Sequence, residues 1–180
     1  MLEVEVKLQP EEKKILALRD RLRESADSAP VIHQQKDIYF SHPDRDFKAR
    51  DEALRLRVDD GLFLTWKGPK LDPPLKTREE IEFGLATEPA TATRLLTALG
   101  FEQAATVSKT REQWTLPHPC PANICLDNVV GLGWFVEVEV LAEQAAVGRE
   151  QIEKVLLHLG LDQEPFLQTS YLGLLTNSED

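Results

Sequence analysis

Glu3 and Glu5 stand two apart in a segment, Leu2 to Leu8, whose intervening residues Val4 and Val6 are apolar. On an extended chain, residues two apart share a face, so the two carboxylates point the same way and can share a metal ion. Glu137 and Glu139 repeat that geometry, and Asp127 adds a carboxylate on a neighbouring strand pattern. Lys7 follows Glu5 on the same face, while Arg55, Arg57, Lys67, Arg78, Lys109 and Arg111 recur at alternate positions of other extended segments. Arg and Lys orient phosphate oxygens, whereas carboxylates hold Mg²⁺ or Mn²⁺, which often bridge to substrate phosphates. The combination is the chemistry of a polyphosphate handled with a divalent metal.

The elements that position these groups follow from periodicity. Residues 2 to 8 alternate as a strand with one apolar face, and Ile15, Leu18 and Leu22 predict a helix over about residues 11 to 24. A strand is expected over Val31 to Phe40, followed by a polar loop from Ser41 to Glu52. Leu54, Leu56 and Val58 alternate with Arg55 and Arg57, and Asp59-Asp60-Gly61 supplies hairpin chemistry leading into Leu62, Leu64 and Trp66. The prolines of Gly68 to Pro74 mark a loop. Further strands are predicted around Arg78 to Phe83, Val107 to Leu116, Ala122 to Val129 and Val136 to Val140, with helices over Pro89 to Gly100 and about Ala145 to Gly160. The tail around Ser170-Tyr171-Leu172 adds at most a short helical turn.

About eight strands and three main helices result, with no boundary that would isolate a second core. One α+β domain over residues 1–180 is the expected organisation. Seven basic and seven acidic residues fall on the charged faces, Glu80 and Glu82 included. An antiparallel sheet with one wet face would explain mixed charge strand by strand. Recurrent Arg, Lys and Glu in place of Ser, Thr and Gln argue instead for a closed eight-stranded antiparallel β-barrel with a charged interior and helices packed outside. Such an interior needs a ligand or water to balance it, because an unpaired buried charge costs several kcal/mol.

The chain carries 21 Lys plus Arg against 31 Asp plus Glu, a net charge of -10 at pH 7, which excludes a nucleic-acid or anionic-membrane surface. Because the charged faces cancel, that surplus lies on the outside and does not exclude a small polyanion arriving with its own Mg²⁺. Cys120 and Cys125 form no disulfide framework, and no signal peptide or apolar span is evident, so a cytoplasmic protein is expected. His33, His42, His118 and His158 are scattered, and His118 and Cys120 lie in a Pro-rich loop, which is not zinc spacing. Trp66 and Trp114 are expected to pack under helices rather than to stack a base. Tyr39 either faces the interior beside Asp37 or is structural, and the 41–52 loop is either a solvated segment or a lid.

The segment Glu3-Val4-Glu5-Val6-Lys7 is similar to the N-terminal signature of the CYTH superfamily, the triphosphate tunnel metalloenzymes. The resemblance continues in order through Lys36-Asp37-Ile38-Tyr39-Phe40, Leu54-Arg55-Leu56-Arg57, Trp66-Lys67-Gly68-Pro69, Lys109-Thr110-Arg111, Leu126-Asp127, Gly131-Leu132-Gly133, Phe135 to Glu139, and Ser170-Tyr171. Within the superfamily these segments look most like the class IV adenylyl cyclase branch. The resemblance implies a triphosphate tunnel and two divalent ions, Mg²⁺ or Mn²⁺. Glu3, Glu5 and Glu137 would be metal ligands, with Asp127 and Glu139 as further acidic contributors. Lys7, Arg55, Arg57, Lys67, Lys109 and Arg111 would hold phosphates, and Arg78 sits on a strand that varies across the superfamily. Glu3, Glu5, Lys7, Lys67, Lys109, Arg111, Asp127 and Glu137 are the expected catalytic set.

The implied reaction is conversion of ATP to cyclic AMP and pyrophosphate. Hydrolysis of tripolyphosphate or thiamine triphosphate would use the same residues in another register, and a non-catalytic polyphosphate or nucleotide sensor is a third reading. The cyclase branch carries a His-Phe pair before its Glu-x-Glu-x-Lys strand, whereas Met1 and Leu2 alone precede Glu3 here. That departure bears on cyclisation and leaves triphosphate binding untouched. The resemblance also makes a homodimer an expectation.

Overall fold

The computed structural model describes residues 2–69 and 78–177; of the loop expected over Gly68 to Pro74, Gly68 and Pro69 are described, while Pro73 and Pro74 lie outside the described residues. Eight strands form one antiparallel sheet: β1 (Leu2–Leu8), β2 (Val31–Ser41), β3 (Ala53–Val58), β4 (Leu62–Lys67), β5 (Glu80–Gly84), β6 (Glu102–Leu116), β7 (Ala122–Val129) and β8 (Gly133–Ala142). Helices α1 (Glu12–Ser25), α2 (Pro89–Ala98), α3 (Ala145–Leu159) and α4 (Tyr171–Asn177) complete the chain. The sheet order is β1-β8-β7-β6-β2-β3-β4-β5. Hairpins join β3 to β4 and β7 to β8, and the latter turns tightly at Gly131 and Gly133, whose φ values of 83° and 86° suit glycine.

Alternation decides which side chains meet which layer. Val4, Val6 and Leu8 of β1 and Val136, Val138 and Val140 of β8 pack with Ile124, Leu126, Trp114 and Leu116. Ile15, Leu18 and Leu22 of α1 and Ile152, Val155 and Leu156 of α3 cover that convex surface. A second cluster joins Ile38, Phe40, Leu54, Leu56 and Leu62 to Ala92 and Leu96 of α2, with Trp66 packed against it. Trp66 and Trp114 therefore lie under helices, as expected. Gly148 of α3 permits the close approach to β1, because a Cβ there would lie 2.5 Å from Val4 Cγ2.

Two features depart from the expected barrel. The sheet is strongly curled but does not close: β1 and β5 are its two ends, and no ladder joins them among the described residues. β5 has five residues, all exposed, and its cleft-facing Glu80 approaches Glu3 of β1. Like charges at the seam oppose pairing of the two edges. The other departure is α4, which packs on the concave side through Tyr171, against Val107, Val129 and Phe135. The remaining odd-numbered positions of the central strands face the cleft thus formed.

Candidate active site

The cleft has a volume of about 610 Å³ and is lined from β1 and β8, across β6, β2 and β3, to β4 and β5. At its β1–β8 side the antiparallel register sets Glu5 opposite Glu139 and Lys7 opposite Glu137. Ligand oxygens of Glu3, Glu5 and Glu139 lie within 4.8 Å of one another. Burial, followed by the charges of Glu137 and Glu5, raises Glu139 to about 8. Desolvation and then Glu5 and Glu80 raise Glu3 as well. Three carboxylates that repel one another this strongly fit a divalent cation, which would relieve the repulsion with oxygen ligands of the preferred type.

Glu137 stands next to this trio yet is engaged differently. Its Oε1 is 3.0 Å from Lys7 Nζ, and its Oε2 accepts from Arg111 Nη2. Asp127 is fully buried and saturated: Oδ1 accepts from Arg111 Nε at 2.7 Å. Oδ2 accepts from Lys109 Nζ and Arg111 Nη2, each at 2.7 Å, and from the Tyr171 hydroxyl at 2.8 Å. Burial alone would raise Asp127, but the Arg111 hydrogen bond and the Lys109 charge hold it below the usual carboxylate value. Burial and the neighbouring Glu137 and Asp127 push the Tyr171 phenol well above its ordinary value, keeping it a donor. Lys7 Nζ sits 3.5 Å from the centroid of the Tyr171 ring, a cation–π contact. Asp127 thus fixes two cations and a tyrosine, while the carboxylates brought within 4.8 Å of one another are those of Glu3, Glu5 and Glu139.

On the far wall, Arg57 makes a two-pronged pair with Asp37, Nε to Oδ1 and Nη2 to Oδ2, both 2.7 Å. Burial opposes ionisation of Asp37, yet the Arg57 hydrogen bond and the Arg55 charge hold its carboxyl low. Arg55 donates from Nη2 to Thr65 Oγ1 at 3.2 Å and to Glu82 Oε2 at 3.3 Å, while its buried Nε has no hydrogen-bond partner among the described residues. A buried donor left without an acceptor is costly unless a ligand supplies one. Lys67 Nζ lies 2.6 Å from Glu80 Oε1, and burial and the neighbouring Arg55 make its ammonium easier to deprotonate. Arg78 stands beside them, 3.9 Å from Glu80.

The structure therefore brings Glu3, Glu5, Lys7, Arg55, Arg57, Lys67, Arg78, Lys109, Arg111, Glu137 and Glu139 to one cleft, with Asp127 behind it. Sequence reasoning did not assign a role to Asp37 or Tyr171. Alternation with Ile38 and Phe40 could have found Asp37, which shares its strand face with Tyr39, and Tyr39 does line the cleft. Phe47, Lys48 and Asp51 of the 41–52 loop line the cleft, as do Leu172, Gly173 and Thr176 of α4.

The hollow of the curled antiparallel sheet thus sets a carboxylate trio, a ligand type suited to divalent cations, beside a row of guanidinium and ammonium groups, donors suited to phosphate oxygens. The CYTH domain family model matches residues 1–171, and the chain belongs to that family. A Methanocaldococcus jannaschii protein bearing the name "Putative adenylate cyclase MJ0240" is 35% identical over 179 residues, 97% of this chain and 98% of that one. The solved structure of the PH1819 protein from Pyrococcus horikoshii OT3 is 37% identical and superposes with a TM-score of 0.85, covering 98% of this chain and 99% of that one. A Hippeastrum structure, bearing the name "Putative adenylyl cyclase HpAC1" and described as revealing a dominant triphosphatase activity, shares the fold at 17% identity and a TM-score of 0.74, over 98% of this chain and 95% of that one.

Proposed function

We propose that this chain is a metal-dependent enzyme of the CYTH superfamily that binds a nucleoside triphosphate in the cleft and, like a class IV adenylyl cyclase, converts ATP to cyclic AMP and pyrophosphate. The observation that carries the reading is the contact between two sets: the Glu3, Glu5 and Glu139 trio, and the cationic groups that begin at Lys7 and Arg111 and continue to Arg55, Arg57 and Lys67. Phosphate binding alone needs no carboxylate cage. Glu3, Glu5 and Glu139 would hold Mg²⁺ or Mn²⁺. Bound there, the ion would supply Lewis-acid charge that acidifies a hydroxyl and offsets charge growing on phosphoryl oxygens.

The chain's own groups do the rest. The orphaned Arg55 Nε and the guanidinium of Arg57 offer donors to phosphate oxygens on one wall, and Lys109, Arg111 and Lys7 do so on the other. Asp127 and Asp37 orient those cations before substrate arrives, so little reorganisation is needed as pyrophosphate charge develops. The 3′-hydroxyl oxygen, giving its proton up to water, bonds to the α-phosphorus as the bond from that phosphorus to the α–β bridging oxygen breaks and pyrophosphate leaves. The cleft volume of about 610 Å³ falls in the range that accepts drug-sized ligands, which leaves room for a base and ribose beside the phosphates.

Hydrolysis is the second reading, supported by the triphosphatase activity named for the Hippeastrum protein and by a site whose residues suit water as nucleophile equally. Incubation with ATP and, separately, with tripolyphosphate and thiamine triphosphate in Mg²⁺ or Mn²⁺, products resolved by chromatography, tests both. Cyclic AMP with stoichiometric pyrophosphate supports the cyclase, and orthophosphate supports the hydrolase. Tight ATP binding without any product overturns both in favour of a sensor.

A further inference from the structure

A second cluster of ligating groups lies outside the main cleft, at the hairpin end of β3 and β4. Along β3, Arg55 and Arg57 are followed at the same alternation by Asp59, which opens the hairpin with Asp60 and Gly61. Asp59 N donates to the Gly61 carbonyl at 2.9 Å, closing the turn and turning both carboxylates toward the start of β2. There His33 Nδ1 lies 3.2 Å from Asp59 and 3.8 Å from Asp60. The three ligand atoms are within 4.8 Å of one another.

Gln35, two residues along the same face of β2, supplies an independent observation. It is 7% exposed, and its carboxamide is turned into the cluster, with Nε2 donating to Asp59 Oδ2 at 2.7 Å. Its carbonyl oxygen, Oε1, is buried with no hydrogen-bond partner among the described residues. A hairpin clamp needs neither Asp60 nor a buried amide oxygen left bare, and burying one unsatisfied costs about 1–3 kcal/mol. A cation bound beside the carboxylates would give Oε1 the partner it lacks while Nε2 keeps its bond to Asp59, and His33, carrying its proton on Nε2, would present the Nδ1 lone pair. The set would then be one imidazole nitrogen, two carboxylates and one amide oxygen, a mixed nitrogen and oxygen sphere suited to first-row divalent ions.

We infer that His33, Gln35, Asp59 and Asp60 form a second divalent-metal site, distinct from the Glu3, Glu5 and Glu139 trio and selective for ions that accept an imidazole, such as Zn²⁺. Mg²⁺ alone, with its preference for oxygen ligands and retained waters, is a poor occupant.

Calorimetric titration with Zn²⁺ alone tests this on the full chain and on the E3Q/E5Q double variant, which disables the trio. Zn²⁺ binding that persists in E3Q/E5Q and weakens tenfold or more in His33→Ala and in Asp60→Asn is the expected result. Asp60 is 86% exposed in its side chain, so its variant folds and decides the matter if His33→Ala melts early. Zn²⁺ affinity unchanged by both substitutions, or absent from E3Q/E5Q, overturns the assignment. Binding is read directly, so the outcome is independent of which reaction the main cleft performs.

Discussion

Replacing Glu139 by Gln should stabilise the metal-free protein at alkaline pH while weakening its hold on metal. Between the ordinary carboxyl value of 4.5 and about 8, native Glu139 keeps a proton that the unfolded chain has released. The folded state therefore binds more protons across that window, and this residue's contribution makes stability fall as pH rises through it. Moving a carboxyl from 4.5 to about 8 is worth on the order of 5 kcal/mol at most. The side chain is 20% exposed, and solvent screening and relaxation reduce the realised effect to ~2–3 kcal/mol. At this chain length that corresponds to a melting-temperature rise of roughly 5–10 °C for E139Q over wild type at pH 9 in EDTA. The difference should shrink as pH falls and vanish below pH ~4.5, where both side chains are neutral. In saturating Mn²⁺ the order should reverse, because an ion bound only to the native state stabilises the better ligand set more. Calorimetric melts of both proteins from pH 4 to 9, with and without Mn²⁺, read all three trends. A gap that is pH-independent, or an E139Q that is the less stable protein at pH 9 without metal, would refute the placement of Glu139 in a repelling carboxylate trio.

Glu5→Ala should abolish metal-dependent turnover of ATP or tripolyphosphate while leaving the far-ultraviolet circular dichroism unchanged; unaltered activity excludes the cleft mechanism. Asp127→Asn leaves Lys109 and Arg111 short of their shared counter-charge and should cost about 3–5 kcal/mol in urea unfolding. Tyr171→Phe removes a single hydroxyl donor to that carboxylate and should cost only about 1–3 kcal/mol, so the two variants separate the charge network from the α4 contact. Gly148→Ala, in a helix where alanine ordinarily gains close to 1 kcal/mol, should instead destabilise by about 1–3 kcal/mol. The new Cβ would meet Val4 at 2.5 and 2.9 Å, and guanidinium unfolding measures the sign.

The strands were legible in the sequence because one face of each is apolar and the other charged, and that alternation also put Glu3, Glu5, Lys7, Arg55, Arg57, Lys67, Lys109, Arg111, Glu137 and Glu139 on the cleft side. Closure was not legible. Whether β1 meets β5 depends on contacts between residues some eighty positions apart, and the strand order places β8, not β2, beside β1. The division of labour among the carboxylates was hidden for the same reason. Asp127 and Glu139 are equivalent acids by pattern, but β6 sets Arg111 opposite Asp127, and β1 sets Glu5 opposite Glu139. One carboxylate thus receives two cations and the other receives a like charge. Tyr171 escaped because it begins a seven-residue helix too short for a periodic signal, and His33 met Asp59 only through the β2–β3 pairing.

The ion pairs of the cleft constrain what it can accept. Lys7 and Arg111 reach Glu137, Arg57 reaches Asp37, Lys67 reaches Glu80 and Lys109 reaches Asp127, so a bare phosphate must compete with a carboxylate for every one of these cations. An anion that arrives with a divalent ion does not face that penalty, because the ion satisfies Glu3, Glu5 and Glu139 while the phosphate oxygens take the remaining donors, the free Arg55 Nε among them. Affinity for tripolyphosphate should accordingly depend steeply on Mg²⁺ or Mn²⁺, far more than screening of a simple basic patch would allow. E139Q should flatten that dependence without abolishing metal-free binding, whereas Arg55→Leu should weaken both. Metal-independent tripolyphosphate affinity equal to that in Mn²⁺ would show instead that the cations act as an ordinary anion site and that the carboxylates serve only to balance them.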